Sequence, residues 1–529
     1  MNSGNVASTL WQAAGRWPDQ PAVIHAASGA SLSFAELCAQ AGAVAAGLRA
    51  LGVEPGQRVL VMLRPGLEFF AAMFGVAACG ATAVLADPGM GLAAMLRCLK
   101  TIEPVAIIAE SIFHLVSQLH QTFARGTVRI SRGWYPTAIS WPKFLATAAA
   151  PLPPASCSAD DVAVLAFTSG ATGLPKPVVM DHRTLSAQVE ALRAISGIGE
   201  GDVQLAFIPL TGLLGGGLGC TTVIPSVDAR RLQTLNAATT IAQMQRHAVT
   251  HCFASPFVWA RLADELERHD TQLSLRRIFV GGAPPSPALV QRLVKCIAGE
   301  VHVSYGATEA VPVASATAEE FLAAHQGPHL GGCMVGRPVP GIEVSVACFE
   351  PEALRMAQTY EIGELLVRGP IVSPGYHGAR RVDHLVQLAG SNWHRIGDAG
   401  YFDPLGRLVL CGRIADQVHG GGRVLHSLLV ESQCRDVAGV SEVALVGVGQ
   451  APHQRAVLVV VASGERPTDE ITAALNALAA AQGWQEMLAD VLYRGALPTD
   501  TRHRSKILRA QLARWAEGKT RRKMPLSAP

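Results

Sequence analysis

The hydrophobic pattern over residues 34–109 alternates between helical spacing and short apolar runs that suit buried strands. It predicts helices over 34–51, 67–79 and 91–100, and strands over 58–63, 83–86 and 105–109. Because parallel strands need long crossover connections, strands that alternate with helices indicate βαβ units. We therefore expect an α/β fold with a mainly parallel sheet and helices on its faces.

The same alternation resumes after a linker rich in Ala, Pro and Ser at 146–159. Strands are predicted at 162–167, 251–254 and 277–280, and helices at 184–196 and 256–268. Beyond Gly336, short strands separated by Gly and Pro turns predict a β-rich subdomain over about 336–412. A separate small α/β pattern follows, with a helix at 470–481. We expect a large N-terminal domain of parallel-rich α/β sheets, residues 1–412, and a small α+β C-terminal domain, residues 413–529.

Composition narrows the class of protein. Hydrophobic residues make up 49% of the 529 positions and charged residues 16%, which excludes intrinsic disorder. The net charge of +3 is too small and too dispersed for a nucleic-acid-binding surface. Eleven cysteines occur without a Cys-x-x-Cys pair, and the N-terminus lacks the pattern of a signal peptide. These features favour a cytoplasmic enzyme with reduced thiols over a disulfide scaffold or a zinc protein.

Residues 206–225 form an uncharged stretch that is long enough to span a membrane. Its prolines and its glycine cluster would disrupt a lipid-exposed helix, and its apolar content is modest. The stretch therefore predicts buried backbone that lines an apolar cavity, and no transmembrane segment.

The strongest local motif follows the strand predicted at 162–167. Glycines there permit backbone N–H groups to converge, hydroxyls add donors and a lysine adds positive charge, which together suit a polyphosphate. The motif is not a Walker A loop, because it lacks the Gly-Lys-[Ser/Thr] run. A flexible turn is the structural alternative. The candidate residues are Thr168, Ser169, Gly170, Ala171, Thr172, Gly173 and Lys176.

Four further segments could bind a nucleotide, although each alone also fits a turn, a cap or a solvated surface. One ends the strand at 277–280, where open α/β sheets place their ligands. Another combines an aromatic ring, a hydroxyl and a carboxylate. The residues are Gly282, Ala283 and Pro284; Tyr305, Gly306, Thr308 and Glu309; Asp398 with Arg413; and Lys506 in a basic C-terminal segment.

In this order and spacing, the segments resemble the adenylate-forming superfamily of acyl-CoA synthetases, peptide-synthetase adenylation domains and luciferases. The resemblance covers essentially the whole chain and implies ATP and Mg²⁺ as cofactors. It implies that Thr168–Lys176 binds the phosphates, that Thr168 and Glu309 hold the metal, and that Thr308 contacts the α-phosphate. Tyr305, Gly306 and the backbone at Gly282–Pro284 would hold adenine, Asp398 and Arg413 the ribose. Lys506 would be catalytic, with Thr308 and Glu309, on a mobile C-terminal domain.

A narrower resemblance is to the β-lactone synthetases of bacterial olefinic-hydrocarbon biosynthesis. Those enzymes convert a long-chain β-hydroxy acid and ATP to a β-lactone, AMP and pyrophosphate. The resemblance implies neighbouring pathway enzymes as partners, but no oligomeric state. The matching segments are 86–91, 306–315 and 335–341, and the C-terminal residues Asp500, Arg502, His503, Lys506, Ile507 and Arg509.

Departures from the superfamily pattern bear on the reaction. The hinge position two after Arg413 is usually Asp or Lys but is Ala415 here, which disfavours a CoA-dependent second step. Ser505 replaces the glycine before the late lysine, and 209–212 lacks the histidine of the acyl pocket. A fatty acyl-CoA or acyl-carrier-protein ligase stays an alternative. A degenerate nucleotide-binding scaffold is disfavoured because the charged candidates are retained. His182, a candidate base for the hydroxyl proton, equally fits a structural role.

Overall fold

The computed structural model describes residues 4–86, 90–148, 150–168, 176–228, 231–326, 331–349, 354–379, 384–464, 466–500 and 506–523. Its helices are α1 (Ser8–Arg16), α2 (Phe34–Ala50), α3 (Leu67–Ala78), α4 (Leu92–Lys100), α5 (Ser111–Leu119), α6 (Trp141–Leu145), α7 (His182–Ser196), α8 (Pro209–Gly216), α9 (Ala237–Arg246), α10 (Pro256–Arg268), α11 (Pro287–Cys296), α12 (Ala318–Gln326), α13 (Ser427–Arg435), α14 (Thr468–Ala481) and α15 (Arg509–Lys523).

The strands up to residue 317 are β1 (Pro21–His25), β2 (Ser31–Ser33), β3 (Arg58–Met62), β4 (Thr82–Leu85), β5 (Ala106–Glu110), β6 (Val128–Arg132), β7 (Ile139–Ser140), β8 (Val162–Thr168), β9 (Lys176–Asp181), β10 (Val203–Ala206), β11 (Thr221–Ile224), β12 (His251–Ala254), β13 (Leu273–Gly281), β14 (Ile297–Ala307) and β15 (Ala310–Thr317). The later strands are β16 (Cys333–Pro338), β17 (Glu343–Phe349), β18 (Leu354–Met356), β19 (Gly363–Arg368), β20 (Gly375–Tyr376), β21 (Leu385–Leu388), β22 (Ser391–Phe402), β23 (Leu408–Arg413), β24 (Val418–Gly420), β25 (Arg423–Leu425), β26 (Val440–Val448), β27 (Arg455–Ala462) and β28 (Leu488–Tyr493).

Within the described residues, one sheet has eight strands in the order β20-β9-β8-β4-β3-β5-β6-β7. Six neighbouring strands of this sheet run parallel to one another, namely β8, β4, β3, β5, β6 and β7. Helices α2 and α3 cover one face around Val61 and Ile108, and α4 and α5 cover the other around Leu60 and Ile107. Neighbouring residues of a strand point to opposite faces, which explains the continuous apolar runs in the sequence.

The larger sheet has fifteen strands in the part of the chain that the structure describes, and it joins a parallel part to an antiparallel part. Strands β14, β13, β12, β10, β11 and β1 are parallel. Strands β16 to β23 extend the sheet in antiparallel fashion, apart from β20, which lies in the eight-stranded sheet. The α/β fold and the β-rich segment expected after Gly336 are therefore confirmed.

Local signals explain the accuracy of the predicted helices. The prediction over 34–51 corresponds to α2, where Ser33 and Glu36 form a reciprocal capping box. The chain leaves this helix through Gly52, whose positive φ of 83° favours glycine. Helix α10 has the predicted bounds because Pro256 begins it directly after Ser255.

The C-terminal part contains its own three-stranded sheet of β26, β27 and β28. Side chains of α13 and α14 pack on one face of it, and those of α15 pack on the other. Strand β23 ends at Arg413, and the separate β24–β25 hairpin begins at Val418. The boundary between residues 1–412 and 413–529 stays a prediction that agrees with this change of sheet.

Residues 206–225 are all buried or half-buried. They form the end of β10, then α8 and β11, and a Cβ at Gly212 would lie 2.9 Å from the ring of Phe70 in α3. The predicted burial is thus present, while the predicted cavity lining stays untested. Within the described ranges, no helix is long and apolar enough to cross a membrane. None of the eleven cysteines, which all lie within the described residues, forms a disulfide, and eight of them are buried.

Candidate active site

Asp398 and Arg413 lie opposite each other on β22 and β23. Arg413 Nε is 2.9 Å from Asp398 Oδ1, and Arg413 Nη1 donates to the carbonyl oxygen of Ile396 at 3.4 Å. Asp398 is buried and Arg413 is half-buried. The carboxylate of Asp398 is the main cause of the raised pKa of Arg413. The sheet register therefore holds a charged donor and a charged acceptor side by side.

Tyr305 completes this group from the neighbouring part of the sheet. Its hydroxyl donates to Asp398 Oδ2 at 2.5 Å. Burial, and next the charge of Asp398, raises the pKa of Tyr305 well above its ordinary value, so the phenol stays protonated and donates. An aromatic ring, a carboxylate and a guanidinium are thereby combined. Such a set can stack on a base and bind sugar hydroxyls.

The predicted adenine segment lies beside Tyr305. Strand β13 ends at Gly281, which pairs with Ser304 of β14, the residue before Tyr305. Gly282 follows with a positive φ of 82° that turns the chain out of the sheet. Gly282 and Pro284 are exposed and Ala283 is half-buried. The backbone at this strand end is thus accessible next to the Tyr305 motif.

Thr308 and Glu309 form the two-residue turn between β14 and β15, because Ala307 pairs with Ala310. Gly306 precedes this turn and is exposed. The carbonyl oxygen of Glu309 accepts from Ser373 N at 2.7 Å, and its Oε1 accepts from the hydroxyl of Tyr376 at 2.8 Å. Both interactions fix the turn and direct one carboxylate oxygen of Glu309.

Tyr376 links Glu309 to the predicted phosphate loop. Its ring lies 5.5 Å from Nζ of Lys176, and β20, which carries Tyr376, pairs with β9, which begins at Lys176. Burial, and next the charge of Glu309, raises the pKa of Tyr376. Thr168 ends β8 opposite Lys176. The predicted loop residues Ser169, Gly170, Ala171, Thr172 and Gly173 lie outside the described residues.

The rings of two buried histidines, His384 and His394, lie next to the ring of Tyr376. The ring centroids of His384 and His394 lie 5.2 and 5.9 Å from that of Tyr376, and 5.2 Å from each other. Within the described part of the chain, none of their ring nitrogens has a hydrogen-bond partner. Burial, and next the neighbouring His384, lowers the pKa of His394 to about 4. His394 is therefore neutral near pH 7.

Lys506, the predicted catalytic lysine, lies in the C-terminal part of the chain just before α15. Its backbone N–H donates to Asp500 Oδ1 at 2.9 Å, and its carbonyl oxygen accepts from Asp500 N at 2.9 Å. These bonds join Lys506 to Asp500. Residues 501–505, which include Ser505, lie outside the described residues. Lys506 itself is exposed. Its placement beside the other candidates stays a prediction.

A partly buried network of ion pairs lies three residues after Lys506, at Arg509. Arg509 donates from Nη1 to Glu431 Oε1 at 2.5 Å and from Nη2 to Glu431 Oε2 at 3.0 Å, while its Nε lies 3.3 Å from Asp416 Oδ2. Glu431 is buried and also accepts from Leu445 N at 2.8 Å. The network therefore attaches the segment that contains Lys506 to the short turn that follows Arg413.

Sequence reasoning missed several of these partners. Tyr376 and Glu431 carry no local motif, and they reach Glu309 and Arg509 only through long-range pairing of strands and helices. Arg509 was named only among the C-terminal residues that resemble the β-lactone synthetases, without a structural role. His182 is buried and its Nδ1 accepts from Val6 N at 3.1 Å, which favours the structural alternative.

The donor chemistry permits Mg²⁺ at Glu309. Within the described ranges, no group of three or more His, Cys, Asp or Glu side chains could hold a metal by itself. Mg²⁺ does not need such a group, since it is usually bound by one or two carboxylates together with phosphate oxygens and water. The half-buried carboxylate of Glu309 suits that arrangement.

Comparison with known proteins is consistent with this geometry. The model of the AMP-binding enzyme family matches residues 10–377. An olefin beta-lactone synthetase of Stenotrophomonas maltophilia is 33% identical, over 97% of this chain and 98% of that protein. A long-chain-fatty-acid–CoA ligase of Thermus thermophilus is 27% identical, over 83% and 82%. The crystal structure of ATP-bound MatB from Rhodopseudomonas palustris, 21% identical, superposes with a TM-score of 0.82 over 98% of this chain and all of that one, which shows a shared fold. The chain therefore belongs to the AMP-binding enzyme family.

Proposed function

We propose that the chain joins a long-chain β-hydroxy acid to AMP and then closes the acyl adenylate to a β-lactone. Its similarity to the olefin beta-lactone synthetase carries this proposal. That similarity is higher and more extensive than the similarity to the fatty-acid–CoA ligase, at 33% over 97% of the chain against 27% over 83%. A ligase that transfers the acyl group to CoA or to a carrier protein is the alternative.

In the first step, a carboxylate oxygen of the acid attacks the α-phosphorus of ATP, and the bond to pyrophosphate breaks. Thr308, Lys506 and the loop from Thr168 to Lys176 would stabilise the charge that develops on the phosphate oxygens. Mg²⁺ would add positive charge there when bound, held by Glu309 and Thr168. The protein thus supplies positioning and electrostatic stabilisation, with no covalent intermediate on a side chain.

We assign the nucleoside to the group around Asp398. Its carboxylate would accept from the ribose hydroxyls, with Arg413 beside it, while the ring of Tyr305 and the backbone of Gly282–Pro284 would contact adenine. The contacts Asp398–Arg413 and Asp398–Tyr305 support this role because they fix the carboxylate before the nucleotide binds. Lys506 would arrive when residues 413–529 close as a mobile domain on residues 1–412.

In the second step, the β-hydroxyl oxygen attacks the acyl carbon, the bond from that carbon to AMP breaks, and the hydroxyl proton passes to solvent. Closing a strained four-membered ring competes with hydrolysis, so water must be kept away from the acyl carbon. The buried stretch 206–225 is our candidate for part of the acyl tunnel. We assign no side chain as the base.

We propose a cytoplasmic location, because the eleven cysteines form no disulfide and cysteines stay reduced in that compartment. Because a β-lactone is reactive, we expect it to be consumed by neighbouring olefin-pathway enzymes.

Incubation of the purified chain with a long-chain 3-hydroxy acid, ATP and Mg²⁺, with and without CoA, tests the proposal. We expect lactone, AMP and pyrophosphate in equal amounts without a thiol. Lys506→Ala should abolish pyrophosphate release, while Lys519→Ala, which changes an exposed lysine of α15, should not. Strict dependence on CoA would establish the ligase alternative instead.

A further inference from the structure

Helix α5 is apolar on the face that points away from the protein. Ile112 is 61%, Leu115 46% and Leu119 73% exposed. On its opposite face, Phe113 and Val116 pack in the core of the eight-stranded sheet. A surface helix normally presents polar residues to water, whereas α5 exposes three large aliphatic side chains beside the exposed Gln118. The outer face of α5 therefore indicates a binding surface.

Neighbouring elements extend this surface. Helix α4 packs in the same core cluster as α5, and its Leu92 is 47% exposed. Tyr135 stacks on His114 of α5 with centroids 5.4 Å apart, which places the adjacent Trp134 beside the helix. Trp134 is 82% exposed. We call this the α4–α5 surface, and its apolar members are Leu92, Ile112, Leu115, Leu119 and Trp134.

The segment that forms the α4–α5 surface has a net positive charge, with five Lys and Arg residues against two acidic ones between residues 90 and 134. From residue 90 to residue 134 the only acidic residues are Glu103 and Glu110, and Glu110 pairs with Arg132 at 3.1 Å. Arg97, Lys100 and Arg125 are exposed in the same segment. The sequence has no Asp or Glu from residue 111 to residue 159. An apolar centre within a basic surround matches the charge of an anionic lipid surface.

We infer that the α4–α5 surface docks on an anionic lipid bilayer. The exposed tryptophan suits the interface between headgroups and acyl chains. The choice of a bilayer over a protein partner rests in part on the proposed function, since a long-chain hydroxy acid partitions into membranes. Docking would bring the enzyme to its substrate, with the apolar side chains inserted and the basic ones at the headgroups.

Sedimentation of the full chain with vesicles tests this inference. One set contains phosphatidylcholine alone, and the other also contains phosphatidylglycerol. We expect binding to the anionic vesicles that weakens as salt is raised. Replacing both Leu115 and Leu119 by Asp should lower the vesicle partition coefficient at least about tenfold, because apolar insertion is lost. Arg125→Glu should lower it at least about fivefold.

The matched control is Leu405→Asp, in the turn between β22 and β23. Leu405 is 61% exposed, as Ile112 is, but lies in the β-rich segment. It should leave vesicle binding unchanged. No binding to anionic vesicles, or binding that the α5 variants do not reduce, would overturn the inference. The inference would also be overturned if the chain bound no vesicles but formed an oligomer that the α5 variants dissociate. That result would assign the surface to a protein contact.

The vesicle assay contains no nucleotide, so it is independent of the proposed reaction. A chain that binds vesicles but forms no lactone would contradict the proposed function alone. Conversely, lactone formation from a short, water-soluble 3-hydroxy acid without any vesicle binding would contradict the docking surface alone. With that soluble acid, the α5 variants should release pyrophosphate at the rate of the unaltered chain.

Discussion

The carboxylate of Asp398 is held at both oxygens, by Arg413 Nε at 2.9 Å and by the Tyr305 hydroxyl at 2.5 Å. Adjacent strands supply Asp398 and Arg413, and the β14–β15 part of the sheet supplies Tyr305. Strand register therefore sets this geometry without a ligand. A carboxylate fixed in this way loses little freedom when it binds a nucleoside.

Asp398→Asn should raise the KM for ATP about ten- to a hundredfold. The change keeps the shape but removes the charge, and hydrogen bonds to a charged group contribute about 1.5–3 kcal/mol. Steady-state pyrophosphate release at varied ATP measures the effect. Asp403→Asn is the matched control, because Asp403 forms a buried pair with Arg407 at 2.6 Å after β22. Equal effects of the two changes on KM would remove Asp398 from the nucleotide site.

Glu309→Gln should raise the Mg²⁺ concentration needed for half-maximal pyrophosphate release about tenfold, since a neutral amide is a poorer ligand for a hard cation. The comparison variant is Tyr376→Phe. It removes the hydroxyl that donates to Glu309 Oε1 but keeps the carboxylate. We expect a smaller shift in Mg²⁺ dependence for this variant. An unchanged Mg²⁺ requirement in Glu309→Gln would contradict the assigned role.

The sequence predicted the parts of the site that are local. The Tyr305–Glu309 motif lies on one strand and its turn, so residue types and spacing were sufficient to select it, whereas the roles of Asp398 and Arg413 came from the resemblance to the superfamily. Tyr376 was missed because its approach to Glu309 depends on β20 crossing to the other sheet. Single-sequence periodicity gives the strands but not their partners.

Arg509→Met should lower the free energy of unfolding by about 3–5 kcal/mol, because it leaves the buried carboxylate of Glu431 without its main partner. Chemical denaturation monitors the loss. Adding Glu431→Gln should restore at least half of it, since the amide is neutral and can still accept from Leu445 N. A double variant as unstable as the single one would show that lost packing, not the unpaired charge, causes the effect.

His394 should make the protein less stable as the pH falls from 6.5 towards 4. Burial holds its pKa at about 4 in the folded chain, against 6.5 ordinarily, so only the unfolded chain binds the proton in this window. Between pH 7.5 and 5.5 this amounts to ~1 kcal/mol. In urea unfolding, His394→Phe should reduce the loss by that amount, while the exposed His453→Gln should not. An unchanged pH dependence in His394→Phe would contradict the buried, neutral state.

The fold was predicted more completely than the packing between its parts. Alternating patterns located α2, α10 and β12 almost to the residue because caps and prolines mark their ends. Helix α15 was not predicted. The contact of its first residue, Arg509, with Glu431 was also missed, because Glu431 lies in a helix that is distant in the sequence. Helix α5 and its exposed apolar face were not predicted, because periodicity alone does not show which face of an apolar segment is covered.

Isotope transfer tests the central claim most directly. The purified chain is given a long-chain 3-hydroxy acid with ¹⁸O in its carboxylate, or with ¹⁸O in its hydroxyl, together with ATP and Mg²⁺ and no thiol. Mass spectrometry should find one carboxylate ¹⁸O in AMP, and should find the hydroxyl ¹⁸O retained in the ring of the lactone. AMP without label, or a lactone that has lost the hydroxyl label, would show that the acid is neither activated by AMP nor closed by its own hydroxyl.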